Sequence, residues 1–310
     1  MDYVDFGSNG MRASEVVMGF WRIPDKTSDE VATLVEAGVD AGVNMLDVAD
    51  AYGRGACEQI LGDALASRPG LRDRVLVQTK CGIVKGDDFT WYDFSRAHIV
   101  EAVEGSLTRL GTDHVDSLLL HRPDVLMEPD EIAAAFDELR ASGKVLEFGV
   151  SNLGPAGISR IQASLDFPLA CNQIQLSCGH TAPVDATIYY NMGVDEAVSR
   201  DAATLDWCAA HDMVVQSWSS LQVSREFGTF LGASEYAALN DRLDKVAADR
   251  GVTPAAVALA WILRLPMRTQ AVIGTCDPVH AREAAAASIV VLENDGVLPL
   301  APDTRIAVIG

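Results

Sequence analysis

The chain has 310 residues, 49% of them hydrophobic, and a formal net charge of −20. That length allows one large core and fits a single barrel domain, which takes about 250 residues. The anionic surface argues against nucleic acid or an anionic membrane as partner, and otherwise reads as a means of solubility.

The six cysteines, Cys57, Cys81, Cys171, Cys178, Cys208 and Cys276, form no Cys-x-x-Cys pair and no metal knuckle. They read as the scattered reduced thiols of a cytoplasmic protein. The acidic start MDYVDFGSNG does not read as a signal peptide, and no apolar run approaches the roughly 20 residues of a spanning helix.

In chain order, Tyr3–Phe6 and Met11–Ser14 flank Ser8-Asn9-Gly10 and read as a hairpin. Glu15–Gly19 reads as a strand, followed by Phe20, Trp21 and Arg22. Thr27, with Glu30 three residues later, is a capping box opening a helix to Ala41, and Gly42 stops it. Val43–Val48 is apolar enough for a strand buried on both faces, as in a parallel sheet. It delivers Asp47 to the strand end and Tyr52 to the loop beyond. A helix follows at Glu58–Leu65.

Arg74–Thr79 is the next strand, with Lys80 at its end. The loop KGDDFTWYDF beyond it is polar, then aromatic. Trp91 and Tyr92 there have two open readings: lining a substrate mouth, or covering an apolar edge. Ser95 caps a helix that ends at Leu110 and Gly111, and Val115–Leu120 is a strand ending at His121. Pro129–Ala141 is a helix. Val145–Val150 is a strand with Ser151 and Asn152 after it. Gly154–Leu165 is a helix, and Leu169–Ile174 is a strand carrying Gln173.

The irregular stretch Ser177–Ser199, with Pro183, Tyr189, Tyr190 and Gly193, reads as a rim loop ahead of a helix at Arg200–His211. A strand at Met213–Ser217 leads into a long loop, Trp218–Ser234. Helices follow at Glu235–Asp249 and from Thr253-Pro254 onward. Gln270–Ile273 is the last strand and Pro278–Ala287 the last barrel helix. Strand–helix units at this spacing predict a parallel barrel.

In such a barrel the C-terminal rim is where chemistry collects. Three strand ends bring an acid, a phenol, an amine and an imidazole to it: Asp47, Tyr52, Lys80 and His121. Each alone reads as a turn former or a wall residue. Their order and contexts together are the specific signal.

The segments LDVADAYG, QTKCG, LLLHRPD, GVSN and NQIQ, spread across about residues 3–285, resemble the aldo-keto reductase family, in its bacterial monomeric branch. The resemblance implies a (β/α)8 TIM barrel closed at the bottom by the N-terminal hairpin. It implies reduction of a small-molecule aldehyde or ketone by NADPH, with NADH also open, in a monomer or weak oligomer. By the same resemblance Tyr52 gives the proton, Lys80 lowers the phenol's pKa, Asp47 holds Lys80, and His121 orients the carbonyl oxygen. The electrostatics agree, since a nearby ammonium favours a phenolate.

The resemblance also assigns Ser151, Asn152 and Gln173 to the nicotinamide carboxamide and Trp218 to the ring stack. Gly274 and Thr275 open the helix after the last strand, a place for an adenosine phosphate. His280 stands where the family has an arginine for the 2′-phosphate, which leaves strict NADPH preference open. Arg282 is either its substitute or a surface charge. Trp21, Trp91 and Tyr92 are the expected substrate contacts.

Other functions remain open on the sequence. One is a cofactor-binding, redox-sensing regulatory subunit with weak activity, like potassium-channel β subunits. Another is a bare binding scaffold. The last is a glycosidase, suggested by the C-terminal tail and by Asp206-Trp207, although that pair falls inside a predicted helix. The chain divides into a barrel at 1–287 and a tail at 288–310. The tail, SIVVLENDGVLPLAPDTRIAVIG, resembles the start of the C-terminal α/β domain of family 3 glycoside hydrolases. From about Leu292 onward it is expected to be poorly anchored and to take no part in the chemistry.

Overall fold

A computed structural model describes residues 1–188, 192–194, 203–224 and 227–292. The chain opens with the expected antiparallel hairpin, β1 (Tyr3–Phe6) and β2 (Met11–Ser14). It then enters the repeating units β3 (Val16–Gly19), α1 (Ser28–Asp40), β4 (Met45–Asp47), α2 (Ala56–Ala66) and β5 (Leu76–Cys81). A short rim hairpin, β6 (Ile83–Lys85) with β7 (Thr90–Tyr92), precedes α3 (Arg96–Leu110). Next come β8 (Val115–Leu120), α4 (Pro129–Ala141), β9 (Val145–Ser151), α5 (Pro155–Gln162) and β10 (Cys171–Gln175). Helices α6 (Ala182–Ile188) and α7 (Thr204–Ala210) lead to β11 (Val214–Trp218) and a second rim hairpin, β12 (Gln222–Ser224) with β13 (Gly228–Thr229). The chain continues through α8 (Ala237–Arg250), α9 (Pro254–Leu263) and β14 (Thr269–Ile273) to α10 (Pro278–Leu292).

Strands β3, β4, β5, β8, β9, β10, β11 and β14 form one closed, all-parallel barrel, completed by β9 on β10 and β14 on β3. The chain therefore forms the (β/α)8 barrel that its strand–helix alternation predicts. All six residues of β8 are buried, as a strand covered on both faces requires. Local signals set the helix ends. Thr27 and Glu30 cap α1 reciprocally, and Ser95 accepts from the His98 amide at the start of α3.

Two cores result. One lies between helices and barrel and includes Phe136 stacked on Phe148 at 4.2 Å. The other fills the barrel from below, where hairpin residues Val4, Phe6 and Ala13 meet Val17, Met45 and Val214. The hairpin turn is locked to β9: the Ser8 and Asn9 amides donate to Glu147 Oε1 at 2.7 and 2.8 Å. Gly7 makes this approach possible. Its φ is +70°, and a Cβ there would lie 2.1 Å from Glu147 Cδ.

Some elements differ from expectation. The loop KGDDFTWYDF folds as the β6–β7 hairpin, because the apolar Ile83-Val84 finds Trp91-Tyr92 as a partner. Helix α10 runs to Leu292 rather than Ala287, so a tail boundary at 288 falls inside it. Residues 293–310, with the glycoside hydrolase-like run, lie outside the described residues, as do Tyr189 and Tyr190. Asp206 is exposed on α7 while Trp207 packs against the core, the disposition of an ordinary amphipathic helix. Among the described residues no single helix is long and apolar enough to cross a membrane.

Candidate active site

Because the strands are parallel, their C-terminal ends share one rim. Asp47 ends β4, Lys80 sits one residue before the end of β5, and His121 follows β8. Lys80 is fully buried, and its Nζ donates to Asp47 Oδ2 at 2.7 Å, Val48 O at 3.0 Å and Tyr52 Oη at 3.2 Å. The Tyr52 ring meets His121 edge-on at 5.5 Å. The four groups expected to act together are thus in one contiguous set. Tyr52 is delivered by a short 3-10 turn, Tyr52–Gly55, in which Gly53 and Arg54 take positive φ. Arg54 ties the turn to the β6–β7 hairpin by donating to Lys85 O and Gly86 O, each at 3.0 Å.

Burial works against the charge on Lys80, but the Asp47 carboxylate and Tyr52 outweigh it, and the ammonium is held above its ordinary pKa. The balance at Tyr52 is the reverse. Burial pushes its pKa up, and Lys80 offsets this only in part. Lys80 therefore acts on the phenol in the expected downward direction, but burial outweighs it and the net shift at Tyr52 is upward. Burial, then the positive charges of Lys80, Arg122 and Lys85, hold His121 well below its ordinary range, so the imidazole is neutral near pH 7.

Beneath these groups lies an amide ladder. Gln78 Nε2 donates to Asp47 Oδ1 at 2.6 Å and to Gln216 Oε1 at 2.9 Å. Gln173 Nε2 donates to the same two acceptors, each at 3.0 Å. Gln216 passes a bond to Gln270, and Gln270 donates to Ser14 O on the floor hairpin at 2.8 Å. A buried polar chain therefore runs down the barrel axis from the rim acid to the N-terminal hairpin. Gln78, Gln216 and Gln270 were missed in the sequence. Their signal was a single inward glutamine in otherwise apolar strands, as in LVQTK, VVQSW and TQAVI.

A cavity of about 810 Å³ opens from this set, near the upper end of the range for small-molecule sites. Tyr52, His121, Ser151, Asn152, Gln173, Trp218, Gly274, Thr275 and His280 all face it, and so does Trp21. Ser151, Asn152 and Trp218 are tied together. Trp218 Nε1 donates to Asn152 Oδ1 at 2.9 Å, Asn152 Nδ2 donates to Ser151 Oγ at 2.7 Å and to His121 O at 3.2 Å, and Ser151 Oγ donates to Gln173 O at 2.8 Å. Asn152 adopts φ +59° to do so. Trp91 and Tyr92 are not among the cavity-lining residues: they stand 41% and 46% exposed on β7. Two guanidiniums, Arg22 and Arg122, lie over the Trp21 and Trp218 rings at 4.7 and 5.5 Å.

The donor set fits a nicotinamide dinucleotide. Gln173 spends both amide hydrogens inward and lines the same cavity as the Trp218 indole, and an amide acceptor together with an aromatic ring suits a carboxamide.

The aldo/keto reductase family model matches residues 15–297. The chain is 36% identical over 295 residues to 6-dehydroglucose reductase of Agrobacterium fabrum (strain C58 / ATCC 33970), covering 92% of both chains. It is 35% identical to oxidoreductase YdhF of Escherichia coli (strain K12), covering 92% of this chain and 91% of the other. The crystal structure of an aldo-keto reductase from Klebsiella pneumoniae in complex with NADPH superposes with a TM-score of 0.73 at 26% identity, over 96% of this chain and 92% of that one. The chain belongs to the aldo/keto reductase family.

Proposed function

We propose that this member of the aldo/keto reductase family reduces a small-molecule aldehyde or ketone to an alcohol with NADPH. The observation that carries the reading is Lys80, which is bonded at once to Asp47 and Tyr52 in a buried site open to the large cavity. When bound, the nicotinamide supplies the hydride, and the protein supplies position and electrostatics.

The chain's own groups divide the remaining work. The alkoxide left by reduction needs a proton, and Tyr52 carries one at Oη. Charged Lys80 stabilises the phenolate that Tyr52 becomes, while Asp47 keeps Lys80 charged and aimed. Neutral His121 donates a hydrogen bond to the substrate oxygen and fixes it beside the phenol. The indole of Trp218 packs the nicotinamide ring, and Gln173, with Ser151 and Asn152 behind it, sets its rotation. Trp21 borders the substrate end.

The regulatory-subunit reading is weaker. A complete proton-delivery set, each group touching the next, is needed for catalysis and not for sensing a bound cofactor. The test is direct: NADPH and 4-nitrobenzaldehyde are mixed with the protein, and absorbance at the reduced-cofactor band is followed. Steady loss that depends on both reagents is expected. No loss above the protein-free rate, with cofactor binding intact, would favour the regulatory reading.

A further inference from the structure

Barrel interiors are ordinarily filled by branched apolar side chains. Beneath this rim the interior carries Gln78, Gln173, Gln216 and Gln270, all buried. A buried amide is costly unless its polar atoms are bonded, so neighbours decide which way each one points. At the floor the direction is set by atoms that can only accept. Gln270 Nε2 donates to Ser14 O at 2.8 Å and to Met45 Sδ at 3.5 Å, which leaves its Oε1 to accept from above. Gln216 therefore sends its nitrogen downward, and Nε2 donates to Gln270 Oε1 at 2.9 Å. Its own Oε1 is left as an acceptor toward the rim.

Two donors meet that acceptor. Gln78 Nε2 and Gln173 Nε2 reach Gln216 Oε1 at 2.9 and 3.0 Å, and the same two nitrogens reach Asp47 Oδ1 at 2.6 and 3.0 Å. The four groups form a square of two donors and two acceptors. Gln78 Oε1 is occupied as well, accepting from Ser117 Oγ at 3.1 Å and from Gln216 Nε2 at 3.3 Å. Turning the Gln216 amide over would set its hydrogens against those of Gln78 and Gln173 and its oxygen against that of Gln270. The square thus has one polarity, passed up from the Ser14 carbonyl. Gln216 is not among the cavity-lining residues, whereas Gln173 is.

We infer that Gln216 is a positioning residue for both halves of the reaction. It holds Gln78 and Gln173 with their N–H groups on Asp47, the carboxylate that aims Lys80. By doing so it commits Gln173 to offer the cavity an acceptor and no donor. The nicotinamide carboxamide is then read through its own N–H, by a side chain that is also bonded to the acid behind the proton donor. The inference rests on the dinucleotide reading given above.

The experiment titrates NADPH and its 3-acetylpyridine analogue separately into the protein and reads quenching of the cavity tryptophans. In the analogue a methyl replaces the carboxamide nitrogen, so it has no hydrogen to donate. The parent is expected to bind NADPH about 5-fold tighter than the analogue, the worth of one hydrogen bond. Gln216→Leu frees the Gln173 amide to turn, and the preference should fall to about 2-fold or less, with kcat for 4-nitrobenzaldehyde about 10-fold lower. Gln270→Leu, one amide further from the rim, should move the preference in the same direction by less, and it carries the test if Gln216→Leu does not fold. Equal weakening of both ligands in the variants, the mark of a merely structural loss, would overturn the inference. So would a parent that binds the two equally, and in both cases the reductase reading stands. If neither ligand quenches the parent, the dinucleotide reading itself fails and the positioning role with it.

Discussion

Gln78 donates to the carboxylate that holds Lys80: its Nε2 lies 2.6 Å from Asp47 Oδ1, while Lys80 Nζ takes Oδ2 at 2.7 Å. The acid is thus held by one oxygen from the barrel interior and presents the other to the amine. Gln78→Leu should free the carboxylate to rotate and should lower kcat about 10-fold, in line with the loss of one hydrogen bond to a charged group. KM should stay near the parent value, because Gln78 does not reach the cavity. Gln78→Glu should cost more, since a second carboxylate beside Asp47 raises both pKa values, and the loss should lessen at acidic pH. Parent-like kcat in both variants would remove Gln78 from any positioning role.

Tyr52→Phe removes the proton and leaves the ring. It should keep cofactor quenching and lose about 10²–10⁴-fold in turnover. A variant within a few-fold of the parent would mean that another group delivers the proton.

Lys80→Met leaves Asp47 charged, buried and unpaired, a change that costs about 3–5 kcal/mol in comparable sites. Both near-loss of activity and a lower melting temperature are expected. Asp47→Asn should be weaker than the parent but more stable than Lys80→Met. The pH profile of reduction tests the electrostatics. His121 is already neutral at pH 7, so the parent rate should not step as pH crosses the ordinary histidine range.

Asp50 sits behind this set, with Oδ1 buried and without a hydrogen-bond partner. Burial and the neighbouring Glu58 raise its pKa to about 7. The folded state therefore keeps a proton that the unfolded state releases near pH 4. The stability from that proton is complete at low pH and is lost as pH rises through about 7. Asp50→Asn cannot ionise, so it should raise the melting temperature more at pH 8 than at pH 5. Thermal scans at the two values decide it, and equal shifts would show that the carboxyl is ionised throughout.

Much of the framework was legible because it depends on local chemistry. Thr27 with Glu30, Ser95, Pro129 and the β1–β2 turn act within a few residues of themselves, and all stand where the sequence places them. Asp47, Lys80 and His121 were legible because strand ends in a parallel barrel have one destination. Less visible were features that depend on partners far along the chain. Gln78 and Gln216 are 138 residues apart yet share a bond, and no periodicity announces that. The net direction of the Tyr52 shift was equally hidden, since Lys80 is in the sequence but the depth of burial is not. Trp91 and Tyr92 were placed by composition, whereas strand pairing with Ile83 and Val84 decided their position.

The bond from the Ser8 amide to Glu147 spans 139 residues, and Gly7 leaves no room for any larger side chain beside that carboxylate. The hairpin turn therefore depends on a seat 139 residues further along the chain. The hairpin's nearer partners, Gly42 and Asn44, bond to it across 39 and 30 residues, whereas a contact as distant as Glu147 forms late. Gly7→Ala should slow the final closure of the barrel floor more than it disturbs the finished rim. Refolding would then show a delayed phase that reports on the N-terminus while the reductase site, at the other end, is already assembled.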